Sequence, residues 1–285
     1  MDYWVFDLVF LVLPAALLLR GRPLPRELLA ATGALSAVAL LWTAPWDEHL
    51  VRTGVWSYGP DRVLATVGSV PVEEYAFVVL LVVLVASWGH RLGRFSRRPA
   101  PAAASARLRG TVLWLVVLAA GVALLVAGGH ARYLGLLLVW VAPPLALQRS
   151  IAGDLLRARL ADRLVLVLPV ALWLCAADRL ALADGIWAIA PASSTGVLLL
   201  GLPLEEALFF LLTSLLVADG LLLASDPRAL ARARGLASGV VGQRAGAQAA
   251  ASARPRHQAT VSAQVCSSGV ASMPNTELNA ELSRT

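Results

Sequence analysis

The chain has 285 residues, of which 58% are hydrophobic and 15% charged, and its formal net charge is +6. A soluble domain carries about 25% charged residues, so the composition excludes an ordinary soluble protein and predicts an integral membrane protein. Every basic residue is arginine and the arginines fall between apolar segments. That pattern argues against a nucleic-acid-binding face and for charge that sets membrane orientation.

The first apolar run is Tyr3–Leu19, closed by Arg20, Arg22 and Arg26. No basic segment precedes it, so it reads as a retained span and not as a removable leader. Leu28–Pro45 is the second run, and Trp46–Arg62 reads as a polar, aromatic loop. Val63–Trp88 is the third run, interrupted by Pro71. A basic, Pro/Ala-rich linker follows over His90–Arg109, then a fourth span over Thr111–Ala127. Tyr133–Leu147, Arg163–Ala177 and Thr195–Val217 are the fifth to seventh. Several are shorter than the roughly 20 residues a span needs, so flanking residues are expected to complete them. From Ser225 the chain is rich in Ala, Arg, Ser and Gly without periodicity, which predicts a disordered tail.

The second half repeats the first. Trp42, Asp47, Gly54, Trp56 and Pro60 align with Trp173, Asp178, Gly185, Trp187 and Pro191 at one constant offset. Tyr3 and Pro14 align with Tyr133 and Pro144 after a one-residue adjustment. Such self-similarity is the mark of an internal duplication. The expected organisation is a three-span repeat over 1–89, a linker with the fourth span over 90–130, a second repeat over 131–224 and a tail over 225–285. The fold class is all-α, with about seven transmembrane helices. Twenty of the 24 arginines lie on one side of this layout, which places the N-terminus outside and the C-terminus in the cytoplasm. The unpaired fourth span brings the two repeats into parallel orientation about an axis along the membrane normal.

The most telling stretch occurs twice: Pro71-Val72-Glu73-Glu74-Tyr75-Ala76-Phe77 and Pro203-Leu204-Glu205-Glu206-Ala207-Leu208-Phe209. A proline followed by acids is also a plain helix start. Both copies, however, follow apolar segments, and a charge at a bilayer centre costs roughly 2.5–3.5 kcal/mol on insertion scales. Carboxyl groups surrounded by hydrocarbon favour the protonated form. Glu73, Glu74, Glu205 and Glu206 are therefore the candidate catalytic acids, able to protonate an apolar substrate. Pro71 and Pro203, with Asp47 and Asp178, are assigned structural roles. Trp56, Tyr58, Tyr75, Phe77, Trp187, Phe209 and Phe210 are candidate substrate-binding residues, because ring faces attract cations. Taken singly, each aromatic also fits packing or an interfacial belt.

Absences narrow the chemistry. No G-x-G-x-x-G run marks a dinucleotide site. His49, His90, His130 and His257 are scattered, and Cys175 and Cys266 stand apart, so no metal site or disulfide framework is expected. A retinal Schiff base needs a lysine, and the chain has none.

With these residues laid out, the chain resembles the membrane-integral lycopene cyclases built from two small homologous units, in their fused form. The resemblance covers about Tyr3 to Leu223. It rests on the two Pro-x-Glu-Glu stretches, on Gly54-Val55-Trp56-Ser57-Tyr58-Gly59-Pro60-Asp61-Arg62, and on the three-plus-one-plus-three layout. It implies an isomerase of carotenoid biosynthesis that converts the linear ends of lycopene to β-ionone rings, giving γ-carotene and β-carotene. The implied mechanism is proton-initiated carbocation chemistry, without a flavin or other cofactor. The implied partners are the apolar carotenoid, membrane lipid and neighbouring carotenoid-forming enzymes, with no nucleic acid, in the cytoplasmic membrane. Alternatives stay open at this point: a cyclase of C50 carotenoids, a former of ε- or γ-rings, and, from another class, a small-solute transporter with parallel three-span repeats. In the second copy Ser57-Tyr58-Gly59 becomes Ala188-Ile189-Ala190 and Asp61-Arg62 becomes Ala192-Ser193. The strongest dependence is therefore expected on the first copy.

Overall fold

The computed structural model describes residues 1–96, 103–236 and 238. Its helices are α1 (Tyr3–Leu19), α2 (Arg26–Arg52), α3 (Val72–Arg91), α4 (Ser105–Ala127), α5 (Arg132–Ala158), α6 (Leu160–Asp184) and α7 (Leu204–Ala224). Among the described residues, six helices are long and apolar enough to cross a membrane, and α1 is shorter. At 1.5 Å per residue α1 is about 25 Å long, a little less than the roughly 30 Å hydrocarbon core.

Two apolar runs begin differently from the sequence reading. Val63–Pro71 is not the start of the third helix but a small hairpin, in which β2 (Thr66–Val67) pairs antiparallel with β3 (Val70–Pro71). Thr195–Pro203 does the same with β5 (Leu198–Leu199) and β6 (Leu202–Pro203). The turns need positive φ, supplied by Gly68 at +66° and by Leu200 at +53° with Gly201 at +83°. Each proline closes a strand and then serves as the residue before its helix. Trp46–Arg52, read as loop, forms the last turns of α2, so Asp47 projects from a helix. Two segments of the expected organisation, 97–102 of the linker and 239–285 of the tail, lie outside the described residues, as does residue 237. The expected lack of structure from Ser225 does not hold for 227–236, which are helical. Ala229 is buried there and Arg232 binds Asp154 at 2.7 and 3.0 Å.

A proline inside a helix frees a carbonyl one turn back, because it has no N–H to reach it, and α1, α2, α5 and α6 each contain one or more. In lipid such a carbonyl needs another donor. At Pro14, Pro144 and Pro169 a tryptophan indole supplies it. Trp173 Nε1 donates to Phe10 O at 2.8 Å, four residues before Pro14. Trp42 Nε1 donates to Trp140 O at 3.2 Å, four residues before Pro144. Trp88 Nε1 donates to Val165 O at 2.9 Å, four residues before Pro169. The first two bonds join aligned residues, and each ties one half of the chain to the other.

The linking helix α4 packs against α5 at close range. A Cβ on Gly121 would lie 3.0 Å from the Val139 backbone nitrogen, and one on Gly135 would lie 3.0 Å from Gly121 O. Small residues permit this approach, as membrane helix pairs require.

One end of the bundle carries an antiparallel ribbon of β1 (Trp56–Tyr58) and β4 (Trp187–Ile189), with Ser57 opposite Ala188 at its centre. Aligned segments thus pair with each other. Helices α1 and α5 both start beneath this ribbon: Tyr3 N–H donates to Arg62 O, and Tyr133 N–H to Ser193 O, each at 2.9 Å. The Met1 amino group and Arg62 meet Asp184 at the same end. The opposite end is held by arginine–carboxylate pairs. Asp219, fully buried, accepts from Arg149 at 2.6 Å and Arg163 at 2.5 Å.

Candidate active site

The two acids of each pair do different things. Successive residues of a helix are turned by 100°, so neighbours face different directions. Glu73 turns back to its hairpin and accepts the Leu64 N–H at 2.7 Å. Glu205 does the same with Thr195 N–H at 2.6 Å and Ser194 Oγ at 3.1 Å. Glu74 and Glu206, the third residues of α3 and α7, turn inward to a common cavity. They lie near one end of the bundle, beneath the β1–β4 ribbon, and not at its middle.

Tyr3 donates to Glu74 at 2.7 Å and Tyr58 donates to the same oxygen at 3.1 Å. Tyr133, aligned with Tyr3, donates to Glu206 at 2.5 Å. Ile189 stands where a counterpart of Tyr58 would be, so Glu206 has no second phenol. In its place stands Asp178, whose carboxyl lines the same cavity close to that of Glu206. Asp178 Oδ1 accepts from Trp187 Nε1 at 2.8 Å, while Asp178 Oδ2 is buried and receives no donor among the described residues. An ionised carboxylate only accepts, so two carboxyl groups in contact are satisfied when a proton lies between them. Asp47, the residue aligned with Asp178, is also buried, and its Oδ1 meets no donor.

The cavity is lined by Tyr3, Trp56, Tyr58, Glu74, Phe77, Asp178, Trp187, Glu206, Phe209 and Phe210. Its free volume is about 30 Å³, enough for a water molecule and far less than a prenyl end. The roof is exchanged between the halves: Trp187 packs on Tyr3 at 5.0 Å, and Trp56 packs edge-on to Tyr133 at 5.8 Å. Neither half alone completes a site. Phe209 and Phe210 meet at 5.2 Å, and Phe77 meets Phe210 at 6.2 Å, forming the wall away from the ribbon. Burial, reinforced by the charge of Glu74, pushes the Tyr58 phenol well above its ordinary range, so it remains a donor. Facing carboxyl groups set among aromatic faces, one of them accepting from two phenols, can serve acid–base chemistry on an apolar cation.

Of the residues singled out from sequence, Glu74, Glu206, Trp56, Tyr58, Phe77, Trp187, Phe209 and Phe210 come together here. Glu73 and Glu205 do not line the cavity. Tyr75 turns outward, and its hydroxyl donates to Val67 O at 3.2 Å. Pro71 and Pro203 end the hairpins. Asp178 lines the cavity itself. Sequence reasoning missed Tyr3 and Tyr133 as site residues, although their alignment was visible. It also missed Asp7, a buried acid within the first apolar run whose Oδ1 has no donor.

Comparison with known proteins finds a family and relatives along most of the chain. The sequence profile of the family described as Lycopene cyclase matches residues 2–90 and 130–219. A lycopene beta-cyclase of Halobacterium salinarum is 40% identical over 197 residues, covering 68% of this chain and 81% of its own. A bifunctional lycopene cyclase/phytoene synthase of Arthroderma gypseum is 35% identical over 208 residues, covering 66% of this chain and 35% of its own. One of Podospora anserina is 31% identical over 201 residues, with 66% and 34% covered. No solved structure matches.

Proposed function

The chain belongs to the lycopene cyclase family, and on that premise we propose how its own residues close the ring. Its activity is lycopene β-cyclisation, an intramolecular isomerisation of the linear ends of lycopene. Glu206 and Asp178 share the proton that starts the reaction, and Glu74 is the base that ends it. The observation that carries this assignment is that Asp178, with its Oδ2 unpartnered among the described residues, shares the cavity with Glu206, while Glu74 accepts from two tyrosines.

The step balances without a redox partner. Glu206 delivers its proton to the terminal double bond, leaving a tertiary cation. The neighbouring double bond attacks that cation, forming the ring carbon–carbon bond and moving the charge into the ring. Phe77, Phe209, Phe210 and the two ribbon tryptophans present ring faces to the charge. Glu74 then takes a proton from the ring carbon that has just formed the new bond, leaving the β-ionone double bond. Proton return from Glu74 to Glu206 across the cavity resets the site. The residues need no flavin or metal for these steps, and cofactor-free chemistry is part of the proposal.

The remaining assignments rest on sequence. The chain is a multi-pass membrane protein; we place it in the cytoplasmic membrane with the ribbon end outside, with α1 as a seventh span and with the two halves as repeats about one axis. Membrane lipid surrounds it, and other carotenoid-forming enzymes supply its substrate. Expression in a lycopene-accumulating host tests the function. Appearance of γ-carotene and β-carotene with unchanged mass is expected, and unchanged lycopene with well-inserted protein would overturn it.

A further inference from the structure

A second cavity, of about 190 Å³, descends from the site between α2, α3, α5 and α7. It shares Phe77 and Phe209 with the acid-bearing cavity, so those two rings are the partition between them. Its surface is almost wholly apolar, and its rim faces outward at Trp42, Val38 and Leu147, which are 43%, 60% and 58% exposed. Along α7 it runs from Phe209 to Val217, about 12 Å at the helical rise.

The aligned position on the other side of the bundle also carries a groove. There Pro14, Leu17 and Trp173 stand for Pro144, Leu147 and Trp42. That groove shares no residue with the acid-bearing cavity. It is lined at depth by Trp88, where the aligned residue of α7 is Gly220. Duplication has thus produced two lipid-facing grooves, of which one adjoins the acid-bearing cavity across Phe77 and Phe209.

We propose that the groove between α2 and α5 is the binding site for the polyene arm of the substrate, reached laterally from the bilayer, with the reacting end passed between Phe77 and Phe209. This rests on the cyclase reading above. The cavity at the acids has about the room of a water molecule, too little for the polyene, and a long apolar molecule gains nothing by crossing the polar ribbon end. A groove lined by apolar side chains, parted from the acid-bearing cavity only by Phe77 and Phe209 and open to lipid, meets both requirements.

The test uses the full-length protein reconstituted in phospholipid vesicles carrying lycopene, with initial rates measured over a range of substrate concentrations. Ala39→Trp fills the connected groove, Leu147→Trp narrows its exposed rim without touching the core, and Leu17→Trp makes the matched change in the other groove. The proposal expects kcat/KM to fall at least tenfold in Ala39→Trp and severalfold in Leu147→Trp, with Leu17→Trp within about twofold of wild type. If Ala39→Trp is poorly inserted, Leu147→Trp decides. Wild-type rates in both connected-groove variants would overturn the proposal and leave the groove to lipid acyl chains. A loss confined to Leu17→Trp would overturn it in favour of the other groove. A wild-type protein that leaves lycopene unchanged would overturn the cyclase reading itself, a result distinct from any of these.

Discussion

The Glu73 carboxylate accepts the backbone N–H of Leu64 at 2.7 Å, and so anchors the hairpin that precedes its own helix. The Glu205–Thr195 bond at 2.6 Å repeats this in the second half. These are structural bonds to an amide, made away from the cavity. Glutamine in place of either acid keeps an acceptor but loses the charge assistance, worth about half of such a bond. Glu73→Gln and Glu205→Gln should each lower stability by about 1 kcal/mol, read from thermal unfolding in detergent. Pigment formed per unit protein should stay within about threefold of wild type; a loss of a hundredfold would place the first acid of each pair in the chemistry.

Tyr58 gives Glu74 a second phenol that Glu206 lacks. A hydrogen bond to a charged group is worth about 1.5–3 kcal/mol, so Tyr58→Phe should slow turnover by about tenfold to a hundredfold at unchanged abundance. The pH dependence follows from burial, which raises the phenol above its unfolded value near 10. A raised folded value means that the stability Tyr58 contributes is fully present below about pH 10 and is lost as pH rises beyond it. Wild type should therefore lose stability above pH 10 more steeply than Tyr58→Phe; parallel alkaline curves would contradict the assignment.

At the other end Asp219 is the buried partner of both Arg149 and Arg163. Breaking a buried ion pair from one side costs about 3–5 kcal/mol, because the remaining charges stay behind. Asp219→Asn should show that loss in thermal unfolding while the proteins that survive retain wild-type turnover. A variant as stable as wild type would show that the network contributes little.

Orientation is tested by reporter fusions. Fusions within 97–102 and beyond residue 238 should report the cytoplasm, and an insertion between Gly185 and Ile186 the outside. The reverse pattern would invert the molecule and put the ribbon and the acids at the inner surface.

Much of this arrangement was legible in the chain. Pro71 and Pro203 mark the helix starts, and the second acid after each, Glu74 and Glu206, lines the cavity. The Trp42/Trp173 and Pro14/Pro144 alignments were visible too, but not their meaning, since a carbonyl freed by proline is a backbone group that no side-chain pattern records. The hairpins were hidden because Val63–Val70 is as apolar as a helix interior, and short strands and spans share that composition. The division of labour within Glu73-Glu74 was hidden because it depends on rotation about the helix axis. Asp178, assigned to structure, was hidden as a cavity residue because its partner Glu206 comes from another helix. The expectation that the first copy dominates came from its intact flanks. The proposed mechanism instead gives each copy a separate role, since Ile189 stands where a second phenol for Glu206 would be and Asp178 lines the cavity with it.

In the proposed mechanism Glu206, sharing a proton with Asp178, is the acid and Glu74 the base. The direct measurement is lycopene conversion per unit of membrane-inserted protein in Glu206→Gln, Glu74→Gln and Asp178→Asn. General acid–base catalysis is worth about 10²–10⁴-fold. The account predicts losses of that size for both glutamines and at least tenfold for Asp178→Asn, with abundance unchanged. Wild-type conversion in Glu206→Gln would contradict it.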